Sequence, residues 1–450
     1  MIKKSTLFIL LAAIALGAAV YYFDWKRGQK EAEKSTADTT KSAFTFPTGA
    51  EIVSLVLARP SVAGDTAIHF EKQTGTWQIL QPIQTGADQR ALQSIAEGIG
   101  GARIESTAPG TPDRLKVYGL DPALISIEFK LQDGSHHTLK LGNKDFTNTS
   151  VYSIVDNAKD VALLPVSLRT QVDLPIEDLR DRDVLHLTPG DITSFSLKNS
   201  SGQIEAKKDQ AGWTFTKPAS GNLADDTGVT SLLNSVATGK MTAIISESAD
   251  NLGKYGLVAP LITFTATDKA GKGDSLVIGK KDGADYFAKD SGRPMIFRVN
   301  EALFKKLSVN YSDLRDKKLV HLAVADIARI ELHNENGMIV IAPKSEPEWS
   351  VEAPPDLKGK SVATWKILTP LTTARAEEIV DHPGADILAK LEKPLVRVTL
   401  TGKDGRNLSL SIASESGGFV YARTSNGPAV YKLKKEILSD LNSKLVDLAF

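Results

Sequence analysis

Thr76-Trp77-Gln78-Ile79-Leu80-Gln81-Pro82 is echoed by Gly212-Trp213-Thr214-Phe215-Thr216-Lys217-Pro218, and again by Glu348-Trp349-Ser350-Val351-Glu352-Ala353-Pro354. The three tryptophans are spaced 136 and 136. Each stretch sets a Trp five residues before a Pro, in a run with the alternation of a half-buried strand. The same period recurs outward from these three points. Pro122, Pro260 and Pro394 are spaced 138 and 134. Tyr118-Gly119-Leu120 returns as Tyr255-Gly256-Leu257, and Leu179-Arg180-Asp181 as Leu314-Arg315-Asp316. Glu51-Ile52, Asp191-Ile192 and Asp326-Ile327 open each unit. Of 450 residues, 408 remain beyond the first 42, which is three times 136. Agreement at this many offsets reads as a tandem triplication.

Within the first unit the order of elements is legible. Ile52 to Leu57 predicts a strand. Ala67–Phe70 and Thr76–Leu80 flank Thr74-Gly75, a hairpin turn. Asp88 is placed to cap a helix with Leu92, Ile95, Ala96 and Ile99 on one face. The second unit supplies Val229, Leu232, Leu233 and Val236, and the third Ile367, Leu368 and Leu371. Strands are predicted at Arg103–Ser106, Ile125–Leu131, Thr138–Leu141, Val151–Val155 and Val161–Leu164, and a second helix over Ser167–Leu179. The expected fold class is α+β: three repeats of mostly antiparallel sheet with packed helices, over residues 46–188, 189–323 and 324–450.

Ahead of the repeats, residues 1–23 read as a membrane anchor. After Lys3-Lys4 an uncharged run from Ser5 to Phe23 begins, and residues 6–23 would span ~27 Å as a helix at ~1.5 Å per residue. Tyr21, Tyr22, Phe23 and Trp25 cluster where an aromatic belt would sit. A cleaved signal peptide is the competing reading, because Gly17-Ala18-Ala19 satisfies the small-residue rule. A buried helix is the third. Lys3-Lys4 before the apolar run favours an inside N-terminus, with the bulk of the chain extracytoplasmic and a polar tether over residues 24–45.

Composition excludes several function classes. Lys+Arg and Asp+Glu both number 54, so no net charge drives nucleic-acid binding. There is no Cys, which removes disulfides, thiolate catalysis and zinc-thiolate sites. Gly359-Lys360-Ser361 suggests a phosphate loop, but the Gly required five residues before the Gly-Lys pair is Pro354. His136-His137 lie adjacent on a strand and point to opposite faces, so they cannot readily share a metal. His186 and His321 follow Arg180-Asp181 and Arg315-Asp316 and read as structural. Trp77, Trp213 and Trp349 read as core rather than ligand platforms. Gly119 and Gly256 suit positive-φ turns, and Asp225-Asp226 suit a helix N-terminus. No catalytic, cofactor-binding or metal-ligating residue is expected, and the chain is not read as an enzyme.

The Trp-x-x-x-x-Pro element, the amphipathic helix, Tyr118-Gly119-Leu120-Asp121-Pro122 and Leu141-Gly142 together resemble the bacterial family called domain of unknown function 4340. The resemblance extends over nearly all of the chain that follows the tether; in the third unit Lys390-Leu391-Glu392-Lys393-Pro394 keeps only the proline. It implies a single-pass inner-membrane protein with a periplasmic bulk, encoded beside ABC-type export components like those of gliding motility. The expected role is a non-catalytic scaffold or accessory subunit of an ABC-type envelope transport system. A binder of cell-envelope carbohydrate or lipid is the alternative, and a hydrolase the third reading.

Leu-Arg-Asp closes units one and two, whereas the third ends Leu441-Asn442-Ser443-Lys444-Leu445. A pair needed only where one unit meets the next would occur twice. Arg180 and Arg315 are therefore expected to bridge consecutive units, since the planar guanidinium satisfies several acceptors at once.

Overall fold

The computed structural model describes residues 41–59, 67–210, 212–345 and 348–450. The predicted anchor, 1–23, and the tether up to residue 40 lie outside the described residues. Among the described residues no helix is long and apolar enough to cross a membrane. The chain divides into two compact units, one up to Arg182 and one spanning Asp183–Phe450.

The first unit is built on a nine-stranded sheet. Its order is Thr85–Gly86, Thr76–Gln81, Ile68–Gln73, Ile52–Ala58, Ile125–Leu131, His136–Lys144, Ser150–Val155, Val161–Pro165 and Ser106–Ala108. The second unit holds two eight-stranded sheets. One runs Gly212–Lys217, Gly202–Asp209, Ile192–Asn199, Ile262–Asp268, Gly273–Asp282, Asp285–Asp290, Ile296–Asn300 and Ala243–Ser246. The other runs Glu348–Ala353, Gly337–Ser345, Ile327–Asn334, Val396–Gly402, Asn407–Ile412, Phe419–Thr424, Val430–Lys434 and Glu378–Val380. All three share one eight-stranded order, to which the first sheet adds Thr85–Gly86 at its near edge: a three-stranded hairpin run reversed onto a four-stranded meander, with the strand after the helix closing the far edge. The central pairings are antiparallel in each, Leu55 against Phe129, Phe195 against Ala266 and Ile330 against Leu400. The α+β class and the antiparallel sheets are as expected.

Alternation explains which face is buried. Ile125, Ile127, Phe129 and Leu131 are buried and the residues between them are more exposed. They pack with Leu92, Ile95 and Ile99 of helix Gln89–Gly100. Asp88 caps that helix by accepting from the Arg90 and Ala91 N–H groups, at 2.9 and 3.0 Å. Asp225 does the same for helix Asp226–Ala237 through Gly228, and that helix buries Val229, Leu232, Leu233 and Val236. Helix Trp365–Thr373 is shorter. Ala363 stands where the other two carry Asp, judged by its N–H bond to Leu448 O, and Pro370 lies inside the helix.

The opposite face of each sheet carries a small second cluster. Leu120 packs with Tyr118 and Val161, Leu257 with Phe287 and Ile296, and Leu391 with Ala413 and Val430. The third stretch therefore keeps the leucine as well as Pro394, a correction to the sequence reading. The Tyr-Gly-Leu turn also explains Leu141-Gly142. Tyr118 O accepts from Asn143 N at 2.7 Å, and a Cβ on Gly142 would stand 2.1 Å from that oxygen. Gly279 meets Tyr255 O in the same way, at 2.2 Å. Gly119 and Gly256 have φ of +65° and +72°.

Three further expectations are corrected. The tether does not extend to residue 45: Lys41–Ser42 pairs with Arg103–Ile104, and Phe44 is buried edge-on against Phe129. Two aromatic residues, Phe44 and Phe46, supply enough apolar surface to dock this stretch. The helix predicted over Ser167–Leu179 is two, Val166–Val172 and Ile176–Leu179, because Pro175 has no N–H and restricts Leu174. Trp77 and Trp213 are core residues, but Trp349 is only half-buried; pairing of its strand with Gly337–Ser345 is interrupted by two register shifts.

Candidate functional site

Within the second unit, the two sheets meet at a joint made by the Leu-Arg-Asp segment. Asp225 N donates to Leu314 O at 2.7 Å and Asp316 N to Leu223 O at 3.0 Å, so the segment runs as a short strand beside the start of helix Asp226–Ala237. The chain then crosses to the third sheet's helices, where Ala376 N donates to Lys317 O at 2.8 Å and Leu319 N to Ala374 O at 3.3 Å. Backbone pairing on both sides fixes the crossing, and the charged side chains gather around it.

Arg315 is 5% exposed. Its Nη1 donates to both carboxylate oxygens of Asp381, at 2.8 and 2.7 Å, and its guanidinium carbon lies 5.3 Å from the centre of the Tyr311 ring. Tyr311 Oη accepts from Asn222 Nδ2 at 2.7 Å. Arg375 forms an ion pair with Asp225. Asp316 accepts from His321 Nε2 at 2.7 Å and from Lys318 N at 2.9 Å. Burial opposes ionisation of Asp316, but these bonds and the His321 and Lys318 charges outweigh it and hold the carboxyl below its usual value. Burial pushes the Tyr431 hydroxyl up; the Arg315 charge pulls the other way, and the Asp316 and Asp381 charges add to the rise.

These groups line a polar cavity of about 210 Å³, bounded by Ala224, Asp225, Asp226, Asp316, Lys318, His321 and Arg375. The acids are already engaged: Asp225 with Arg375 and the Gly228 N–H, Asp316 with His321 and Lys318, and Asp226 with the Trp213 N–H at 3.2 Å. Chemically the arrangement is a cluster of complementary pairs, suited to locking two sheets in register.

The sequence-derived candidates fall as follows. Arg315 bridges to the following sheet, as expected. Arg180 is buried, and its backbone bridges Ala87 within the first unit. The third counterpart of Leu-Arg-Asp is not at Leu441–Leu445. Ala449 pairs with Val362 as Arg315 pairs with Ala224, and Phe450 N donates to Ser361 O at 3.0 Å, so the counterpart is Leu448-Ala449-Phe450. Gly359-Lys360-Ser361 spends its N–H groups on Val351, Leu357 and Phe450 carbonyls. His137 Nδ1 lies 2.8 Å from Asp156, while His136 is exposed, as is His186. The sequence reading missed Asp381 and Arg375. Asp381 lies outside the motifs that mark the repeat, in the loop after strand Glu378–Val380. Arg375 carries a periodic signal, because Lys240, one repeat period earlier, likewise forms an ion pair with Asp183 beside an isolated β-bridge.

The comparison with known families bears on this repetition. The model described as domain of unknown function (DUF4340) matches residues 77–227 and again residues 213–390. The chain belongs to this family. Each match begins on a repeat tryptophan, Trp77 or Trp213, so the DUF4340 unit is present as a repeated domain. No curated protein matches the chain.

Proposed function

We propose that this is a membrane-tethered, extracytoplasmic scaffold: a non-catalytic accessory subunit of an ABC-type envelope transport system. In this reading three tandem copies of one unit follow a transmembrane segment at residues 6–23, at the period set by Trp77, Trp213 and Trp349. The observation that carries the scaffold reading is the joint. Its charged side chains are spent on one another between successive sheets, Arg315 on Asp381 and Asp225 on Arg375, which is how a linear array is held in register. The uncharged run before the first sheet supports the tether, and the resemblance to the DUF4340 family supports the transporter partner.

The test is biochemical. The tagged full chain is expected to stay with membranes after an alkaline carbonate wash and, after detergent extraction, to bring down an ABC-type ATPase or permease. Release of a shortened soluble chain would refute the anchor. Recovery of no transporter subunit would refute the accessory role.

One observation favours the alternative, a binder of envelope carbohydrate. Thr227, Thr230, Ser231, Asn234, Ser235 and the C-cap Thr238 form a stripe of hydroxyl and amide groups along the outward face of helix Asp226–Ala237. Titration with soluble peptidoglycan and lipopolysaccharide sugar fragments tests it, and absence of any heat or shift removes this reading.

A further inference from the structure

Phe146 is the most exposed large apolar side chain among the described residues, at 93%. It sits on the connection between strands His136–Lys144 and Ser150–Val155 of the first unit. The connection is fixed by Asp145, which is buried and accepts from the Thr149 and Ser150 N–H groups, at 3.1 and 3.0 Å, and from the Thr147 hydroxyl. The Asp145 N–H donates to Ser150 O at 2.9 Å. The loop is thus held by a buried carboxylate while the phenyl ring stands in solvent. One exposed apolar side chain is ordinary on a protein surface. Two further observations set this one apart.

The loop is an addition confined to the first repeat. Leu141, Ile278 and Ile412 are equivalent positions, opposite Ile125, Ile262 and Val396, the first residues of the preceding strands. On the other side they pair with Ser153, Ala288 and Ala422, at separations of 12, 10 and 10 residues. The connection is therefore two residues longer in the first repeat. The shorter ones turn through Gly283-Ala284 and Gly417-Gly418, with no aromatic side chain.

The chain also enters the first unit beside this loop. Lys41, the first described residue, pairs with Ile104. The next residue, Glu105, accepts from the Ser150 hydroxyl and donates its N–H to Leu163 O at 2.9 Å. Ser150 closes the Phe146 loop, so the residues before Lys41 leave the unit at the end of the sheet where Phe146 stands. Val117, 72% exposed, borders the same end, its O accepting from Asn143 Nδ2 at 3.0 Å. The turns at Thr74-Gly75 and Asp133-Gly134 lie at the other end, since Glu71 and Lys130 both stand opposite Ser54 and Lys130 also opposite His136.

We propose that the Phe146 loop is a membrane-contact site: Phe146, with Val117 beside it, enters the surface of the bilayer that holds the anchor. The proposal rests on the anchor reading. In that reading residues 24–40 join the span to Lys41, and a polar coil of this length reaches roughly 20–25 Å. The end of the sheet that faces the lipid is then the one carrying Phe146. A single aromatic side chain is a weak ligand for a free protein. Tethering makes the contact intramolecular, at an effective concentration on the order of millimolar. The loop held by Asp145 needs no ordering on contact. Lys116 and Lys144 are exposed, and their stems can lie along the interface with the ammonium groups at the phosphates. Asp113 and Asp121 are exposed acids of the same turn, so the apolar side chains rather than net charge carry the contact. Only the repeat next to the anchor is within reach of the lipid, which accounts for the single occurrence of the extended loop.

The chain has no cysteine, so Thr149→Cys gives the full-length protein one site for an environment-sensitive fluorophore near Phe146. The labelled protein is reconstituted into vesicles of phosphatidylethanolamine and phosphatidylglycerol, part of the lipid being brominated on its acyl chains. The label on Thr149→Cys is expected to be quenched, and one on Gln73→Cys, at the opposite end of the sheet, hardly at all. Adding Phe146→Ser to Thr149→Cys is expected to remove most of the quenching and leave the thermal unfolding midpoint unchanged, because an exposed ring supports no core. Vesicle flotation separates this proposal from the anchor reading. If the chain does not float with the vesicles, both fall. If it floats but the Thr149→Cys label is unquenched, is quenched no more than the Gln73→Cys label, or is insensitive to Phe146→Ser, the membrane contact alone is overturned. An emission shift without quenching would put a protein surface, such as a second copy, over Phe146 and overturn it likewise.

Discussion

Arg315 and Asp381 meet through one guanidinium nitrogen held by both carboxylate oxygens, with the arginine buried and the aspartate half-exposed. The pair joins the end of the second sheet's module to the helices of the third. Removing the arginine head leaves Asp381 without its partner and a hole beneath Tyr311. Arg315→Ala is expected to destabilise the second unit by roughly 2–4 kcal/mol, read from chemical denaturation. Combining Arg315→Met with Asp381→Leu is expected to recover most of that loss, because two apolar side chains need no partner charge. Equal losses in the single and double variants would show that the pair is not the source of the stability.

Acid should loosen the same joint. The Asp316 carboxyl is held below its usual value in the folded chain, so it ionises more readily there than in the unfolded chain. Its contribution is complete above the ordinary carboxylate pKa near 4 and is lost as pH falls through the lower folded value. Thermal unfolding of the wild-type chain followed from about pH 5 down to about pH 3 should fall more steeply than that of Asp316→Asn. Parallel curves would remove Asp316 from the account.

The repeat tryptophans are expected to differ in weight. Trp77→Ala and Trp213→Ala empty fully buried sites and should cost roughly 3–5 kcal/mol each. Trp349 is half-buried, and Trp349→Ala should cost roughly half as much or less. Three equal losses in denaturant titrations would contradict the half-buried setting of Trp349.

The stretch before the first sheet is part of the fold. Phe44→Ala is expected to destabilise the first unit by roughly 3 kcal/mol, since Phe44 is buried against Phe129 and beside His137. A chain begun at residue 47 should unfold at lower temperature than one begun at residue 41. Identical midpoints would show that the docked stretch contributes nothing.

Some of this is readable from residues and some is not, for physical reasons. Ile125–Leu131 and the Asp88 cap are legible because alternation and capping are local signals. Phe44 is not, since Lys41–Ser42 pairs with the distant Arg103–Ile104 and neither dipeptide has a pattern of its own. The ending of the third sheet's module is easily misplaced because Leu441, Leu445 and Leu448 recur within one short stretch, and only pairing with Ser361 and Val362 singles out Leu448-Ala449-Phe450. At the joint, the twofold occurrence of Arg-Asp points to Arg315, but its acceptor Asp381 sits in the loop after Glu378–Val380, outside the motifs that mark the repeat.

The shared strand order also constrains how the chain is made. Ile192–Asn199 lies at the middle of its sheet, yet one of its two neighbours, Ile262–Asp268, is synthesised only after the hairpin and the helix that lie between them. Until that segment emerges, the hairpin half of the sheet presents a bare edge of unpaired N–H and C=O groups, and the same gap opens three times in a growing chain. A nascent protein of this design depends on being kept apart from its neighbours while the second half of each sheet arrives. Its yield should therefore respond to chaperone supply more sharply than its finished stability would suggest.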